Sequence, residues 1–74
     1  MHRHPSLNVL GRNLRRQREK REFTQEKLGE LAELDPTYIS GIERGVRNPS
    51  VLSLLRIARA LGVTVARLVE GVEA

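Results

Sequence analysis

The sequence predicts an all-α domain of five helices, and three observations carry that expectation. Apolar residues recur at intervals of three and four through successive segments, the spacing of a single helix face. Thr24, Asp35, Ser50 and Thr64, all able to cap a helix N-terminus, head the last four segments. Gly45 and Gly62 close two of them at points where a left-handed residue can end a helix. Seventy-four residues make one domain with a limited core, so caps and any interface between copies matter to its stability.

Residues 1–5 read as a flexible tail. Its histidines, His2 and His4, could hold a metal weakly, but no further ligand is evident and neither is assigned a role. The spacing predicts a first helix from Ser6 or Leu7 to about Glu22, with Leu7, Leu10 and Leu14 on one stripe and Arg12, Arg15, Arg16 and Lys20 over the rest. Arg18 breaks the pattern, because a step of four from Leu14 puts it on the apolar stripe. A buried guanidinium needs a carboxylate, and Glu43, isolated on the inward side of the third helix, is the candidate; the alternative is two solvated charges. Phe23 sits at the turn into the second helix and is assigned to the core.

Residues 24–45 organise the rest. Leu28, Leu31 and Ala32 follow Thr24 at helical spacing, and Asp35-Pro36 then restarts the chain, an acceptor at the cap preceding a proline whose missing N–H costs nothing there. The connection between Ala32 and Asp35 is too short for the two helices to lie antiparallel, which makes a helix-turn-helix. Ile39 and Ile42 form an inward pair, with Thr37, Ser40, Gly41 and Arg44 opposite. That face is smooth until Arg44, a shape that lets a helix come close in the major groove of B-DNA. An ordinary exposed helix of a small bundle carries the same pattern, so spacing alone leaves both readings open. Gly29, inside the second helix, costs roughly 0.5 to 1 kcal/mol relative to alanine, which implies a close packing contact.

A fourth helix runs from Ser50 to about Leu61, with Val51, Leu54, Leu55, Ala58 and Leu61 expected inside, and Gly62 closes it. Thr64 caps a short last helix ending near Val69 or Glu70. Leu68 belongs to the core, which leaves Val65, Val69 and Val72 on the outer side as a candidate partner surface. The domain spans residues 6–70, followed by a C-terminal tail at 71–74.

The net charge of +4 is unevenly spread. Residues 1–21 hold seven Lys/Arg against one Glu, residues 22–46 two against six acidic, and residues 47–74 four against two, so the basic surplus flanks the motif. Such flanks fit a polyanion. The basic first segment has few large apolar groups to insert into a membrane surface, and aromatics at 3% argue against stacking on single strands, which leaves duplex DNA. With no cysteine there are no disulfides, thiolate nucleophiles or cysteine-ligated zinc, and no apolar run approaches the ~18 residues of a membrane span. No nucleophile and base pair stands out, so neither enzyme activity nor a cofactor is expected.

The run from Thr24 to Ser50, with TQEKL, TYISGIERG and RNPS, resembles the lambda-repressor-like (XRE-type) helix-turn-helix domains of bacterial and phage regulators, and among these the controller proteins of restriction-modification systems. The resemblance extends from about Leu10 to Leu68. It implies a homodimeric regulator of transcription that binds double-stranded DNA at an approximately palindromic operator; the composition makes a cytoplasmic protein with no membrane partner the expectation, and the size of the chain leaves no small-molecule ligand expected. The resemblance implies base reading by Thr37, Tyr38, Ser40 and Gly41; Pro36, a departure from the family, could add apolar contact to a thymine methyl. Thr24, Gln25, Arg44, Arg47 and Asn48 would meet the DNA backbone, and an Arg18–Glu43 salt bridge would link the first and third helices. The dimer would form through the terminal region, Val65, Val69 and Val72. Two positions depart from the pattern. Glu33 stands where relatives often carry Gly or Asn at positive φ, and is strained if that turn is kept. Pro36 replaces a long basic or amide side chain, which changes the base preference or moves discrimination into DNA shape. A protein-interaction adaptor or an antitoxin on the same fold is the competing class.

Overall fold

The computed structural model describes residues 4–73. It holds five helices, α1 (Pro5–Lys20), α2 (Gln25–Ala32), α3 (Pro36–Glu43), α4 (Val51–Leu61) and α5 (Val65–Leu68), and no strand among the described residues. Four caps use the side chains the sequence offers. Thr24 Oγ1 accepts from the Lys27 amide at 2.9 Å, Asp35 Oδ1 from Thr37 at 2.8 Å, Ser50 Oγ from Ser53 at 3.0 Å and Thr64 Oγ1 from Arg67 at 3.1 Å.

The first helix is set differently from the expectation. His4 is its cap, the imidazole Nδ1 accepting from the Ser6 amide at 3.3 Å, and Pro5 takes the first helical position, where it has no N–H to leave unpaired. The helix stops at Lys20, because Glu22 adopts a left-handed φ of 57° and turns the chain toward α2. Phe23 is half-buried there, with the Arg21 guanidinium 5.5 Å from its ring centroid.

Every helix contributes to one core, made of Leu10, Leu14, Leu28, Ala32, Ile39, Ile42, Leu54, Ile57, Ala58, Leu61 and Leu68. α1 packs on α3 and α5, α2 on α3 and α4, and α4 on α5. The crossing of α1 and α3 is at backbone distance, since a Cβ on Gly11 would lie 2.5 Å from the carbonyl oxygens of both Ile42 and Glu43. Gly29 answers to the turn after its own helix, where a Cβ would meet the Leu34 carbonyl oxygen at 2.6 Å.

Three sets of apolar groups fall elsewhere than the spacing predicts. On α4, Val51 and Leu55 are exposed, and Ile57 is fully buried in their place. The stripe 54/57/58/61 satisfies the helical period as well as 51/54/55/58 does, and packing against α2 and α5 selects it. Leu31 of α2 is likewise exposed. At the C-terminus the displacement is inward. Val65, Val69 and Val72 are half-buried against the chain's own core and do not stand free on its outer side. The cause is a polar stitch from α1: Asn13 Nδ2 donates to the carbonyls of Leu68 at 2.9 Å and Glu70 at 2.7 Å, and the Ser6 hydroxyl donates to the Glu73 carbonyl.

Candidate nucleic-acid interface

The turn between α2 and α3 is made by a left-handed residue. Glu33 takes φ 59° and ψ 45°, and its amide and that of Leu34 return to carbonyls of α2, the Leu34 N–H reaching Gly29 at 2.9 Å. A side chain at this φ carries strain that glycine or asparagine would reduce, and the surrounding turn holds it. Asp35 then caps α3 at once, so only Glu33, Leu34 and Asp35 separate the two helices.

The far end of α3 is fixed from two directions. Arg18 of α1 forms a forked pair with Glu43, Nε to Oε2 at 2.6 Å and Nη2 to Oε1 at 3.0 Å, while its Nη1 donates to the Phe23 carbonyl at 2.7 Å. Gln25, the first residue of α2, donates its amide to Glu43 Oε1 at 3.1 Å. One carboxylate therefore ties three helices together. The side chains of Arg18 and Glu43 are 13% and 4% exposed, so the pair is desolvated but fully hydrogen-bonded, the condition under which burial of charge is tolerated. The Glu43 hydrogen bond holds Arg18 above its ordinary guanidinium range, against the opposing effect of burial. A raised value means this contribution is complete below the unfolded-state value and is lost only as pH climbs through the folded one.

With its C-terminal half anchored, α3 presents its first turn to solvent. Asp35, Pro36 and Thr37 are exposed, and Ser40 is half-buried one turn on, its hydroxyl accepting a long 3.4 Å bond from Arg44 Nε. Tyr38 turns away from this face. It packs half-buried against the core, and its hydroxyl donates to Ser53 Oγ of α4 at 3.4 Å. Gly41, placed by the sequence on the displayed face, is buried. The chain after α3 folds back on it, the amides of Val46 and Arg47 bonding the Gly41 carbonyl at 3.0 and 3.2 Å, so that the Arg47 stem lies where a Gly41 side chain would be. Gly45, at φ 76°, makes that return possible.

The same fold-back groups Arg44, Arg47 and Asn48, all exposed, after the last turn of α3. Thr24 and Gln25 stand at the start of α2, Thr24 exposed and capping, Gln25 half-buried with its amide committed to Glu43. The structure thus gathers Pro36, Thr37, Ser40, Arg44, Arg47 and Asn48, and withdraws Gly41 and the Tyr38 hydroxyl. The sequence reading missed Gly11 and Asn13. Gly11 interrupts a helix as Gly29 does and carried the same signal; Asn13 carried none.

A protruding helix turn backed by a buried ion pair and flanked by a basic loop is the layout of a DNA-reading helix-turn-helix, and a helix-turn-helix family profile matches residues 14–68. The chain belongs to that family, in its lambda-repressor-like branch of DNA-binding transcriptional regulators. It is 39% identical over 65 residues to the control protein C.MunI of a Mycoplasma species, an alignment covering 86% of this chain and 88% of that one. Its structure matches the restriction-modification controller protein C.AhdI from Aeromonas hydrophila with a TM-score of 0.86 at 37% identity, over 88% of this chain and 98% of that one. SinR, a master regulator for biofilm formation solved in complex with DNA, matches with a TM-score of 0.79 at 29% identity, over 82% and 98% of the two chains.

Proposed function

We propose that the protein acts as a homodimer on an approximately palindromic duplex operator, one α3 entering the major groove of each half-site, and regulates transcription there in the manner of a controller protein. The observation that carries this is the outward first turn of α3 beside Arg44, Arg47 and Asn48. Thr37 and Ser40 can donate to or accept from base edges, and Pro36 can meet a thymine methyl. Arg44, Arg47 and Asn48 supply phosphate contacts, and the free amides at the start of α2, near Thr24 and Gln25, receive another phosphate. Tyr38 sits at the margin of this face and Gly41 serves beneath it.

Size supports the dimer. The longest extent of the structure is 29 Å, less than the roughly 34 Å of one helical turn of DNA, so two copies fit side by side on half-sites one turn apart. The resemblance to controller proteins supports the regulatory role. We further propose that the protein works in the bacterial cytoplasm without catalysis, cofactor or small-molecule effector. No helix among the described residues is long and apolar enough to cross a membrane, and no cluster of His, Asp and Glu among them could hold a metal.

Selection of bound duplexes from a randomised pool at near-physiological salt tests the proposal. Enrichment of a two-fold symmetric motif with half-sites about one turn apart is the expected outcome. Binding without an enriched motif would leave only non-specific affinity from the basic flanks, and an adaptor or antitoxin role would replace the present one.

A further inference from the structure

We infer that Gly41 is a positioning residue for DNA binding: its missing side chain leaves a trough in α3 that seats the stem of Arg47 and holds the guanidinium ready for phosphate. The inference rests on the DNA-binding reading above and concerns how one of its phosphate contacts is placed.

Glycine inside a helix is less stable than alanine, so a buried helical glycine marks a place where a methyl group is excluded. Three such residues stand in this chain, Gly11, Gly29 and Gly41, and what excludes the methyl differs among them. A Cβ on Gly11 would run into the carbonyl oxygens of Ile42 and Glu43, and one on Gly29 into that of Leu34, all main-chain atoms of the fold itself. At Gly41 the three nearest atoms all belong to the Arg47 side chain, Cγ closest, then Cβ at 3.4 Å and Cδ at 3.5 Å. No main-chain atom of a neighbouring element lies as near. The interior therefore makes no demand for glycine here; an exposed arginine does.

The backbone around the trough aims the side chain into it. The amides of Val46 and Arg47 both donate to the Gly41 carbonyl, at 3.0 and 3.2 Å, which fixes the point from which the Arg47 stem sets out. One side of the stem is covered by α3, yet the residue as a whole stays exposed. Its charged end is uncommitted. Ion pairs among the described residues join Arg15 to Glu19, Arg18 to Glu43, Lys27 to Glu30 and Arg67 to Glu70, and none of them uses Arg47. A long side chain held along its stem and free at its head loses less rotamer freedom on meeting an anion than one gathered from solvent. Gly41 thus contributes to affinity without touching DNA, by shaping the surface on which Arg47 rests.

Duplex binding over a range of salt, measured for Gly41→Ala, Arg47→Ala and the double variant, tests the seat. Gly41→Ala should fold and melt at least as well as the wild type, because the methyl displaces a surface side chain and removes a helical glycine. Its affinity should fall about threefold to tenfold on specific and unrelated duplexes alike, and the slope of log affinity against log salt should fall by up to about 1, the change expected of Arg47→Ala. The double variant should bind no worse than Arg47→Ala alone, since an absent arginine needs no seat. A Gly41→Ala protein that keeps the wild-type affinity and salt slope would overturn the seat, as would losses that add in the double variant or a loss confined to one base position. Should the added methyl lower the melt, the double variant should restore it, the stem it strikes being gone; a double variant that melts no better than Gly41→Ala would overturn the seat as well. An Arg47→Ala protein that binds and responds to salt as the wild type does would instead overturn the phosphate contact in the DNA-binding reading.

Discussion

The two halves of α3 live in different surroundings although the helix is only eight residues long. Its first turn, Pro36 and Thr37, faces solvent, while Gly41 and Ile42 are buried and Glu43 is held by Arg18 and Gln25. A helix this short has little stability of its own, and one so exposed at its leading end gains little from packing there. The difference shows how the domain resolves that: order is imposed at the rear and delivered at the front. Side chains of the leading turn are left free of packing duties, while Gly41, Ile42 and the Arg18–Glu43 pair that set its position are held inside.

The comparison breaks most completely at the rear. Arg18→Ala would leave the Glu43 carboxylate buried without its main partner, and a loss of about 3 to 5 kcal/mol in unfolding free energy is expected from urea melts. For a domain of this size each kilocalorie is worth about 4 to 8 °C in Tm, so the variant should be largely unfolded at assay temperatures. A loss below about 1 kcal/mol, the range of exposed pairs, would mean the isoleucines alone hold α3. Gly11→Ala comes next. Its methyl has no room against the Ile42 and Glu43 carbonyls, and the forced separation of α1 from α3 should cost about 1 to 3 kcal/mol, read by the same melts.

At the front the expected signature changes from stability to binding. Thr37→Ala should leave the melt within about 0.5 kcal/mol of wild type while costing about 1 to 3 kcal/mol at one base position, seen as relaxed preference there in competition binding. Arg47→Ala should weaken binding on all sequences alike and reduce the slope of log affinity against log salt by about 1. If Thr37 and Arg47 variants gave the same sequence profile, the division between reading and phosphate contact would be wrong. The smallest effect lies outside α3. Its left-handed closing residue is glycine, whereas α1 is closed by Glu22 at φ 57°; Glu22→Gly should stabilise by about 0.5 to 1 kcal/mol, the left-handed penalty less the entropic cost of glycine.

Much of this was legible in the residues. Caps at Thr24, Asp35, Ser50 and Thr64 are local chemistry, and they mark the starts of α2 to α5 where the structure has them. An arginine on an apolar stripe and a lone inward glutamate ask for each other whatever the fold. His4 was missed because an imidazole is not among the usual capping groups, although its ring nitrogen accepts just as a hydroxyl does. The rotation of α4 was not available from spacing, because Val51, Leu52, Leu54, Leu55, Ile57, Ala58 and Leu61 cover most of its circumference, and only its neighbours decide which go inside. The burial of Gly41 was not legible for a related reason: the return of the loop that covers it is a tertiary event. The fate of the terminal valines depended on Asn13, fifty-five residues before its Leu68 partner, a pairing no local pattern announces.

That Asn13 stitch also sets an order of events in time. It joins parts of the chain separated by most of its length, so it closes a loop far longer than any single helix or turn and forms after the local helices and their turn have condensed. With four helical residues, α5 has almost nothing of its own to delay its release when the stitch opens. The amides of residues 65–72 should therefore exchange with solvent faster than those of α1 and α3, through an opening that leaves α2 and α3 closed. Asn13→Ala should speed that exchange at the C-terminus alone.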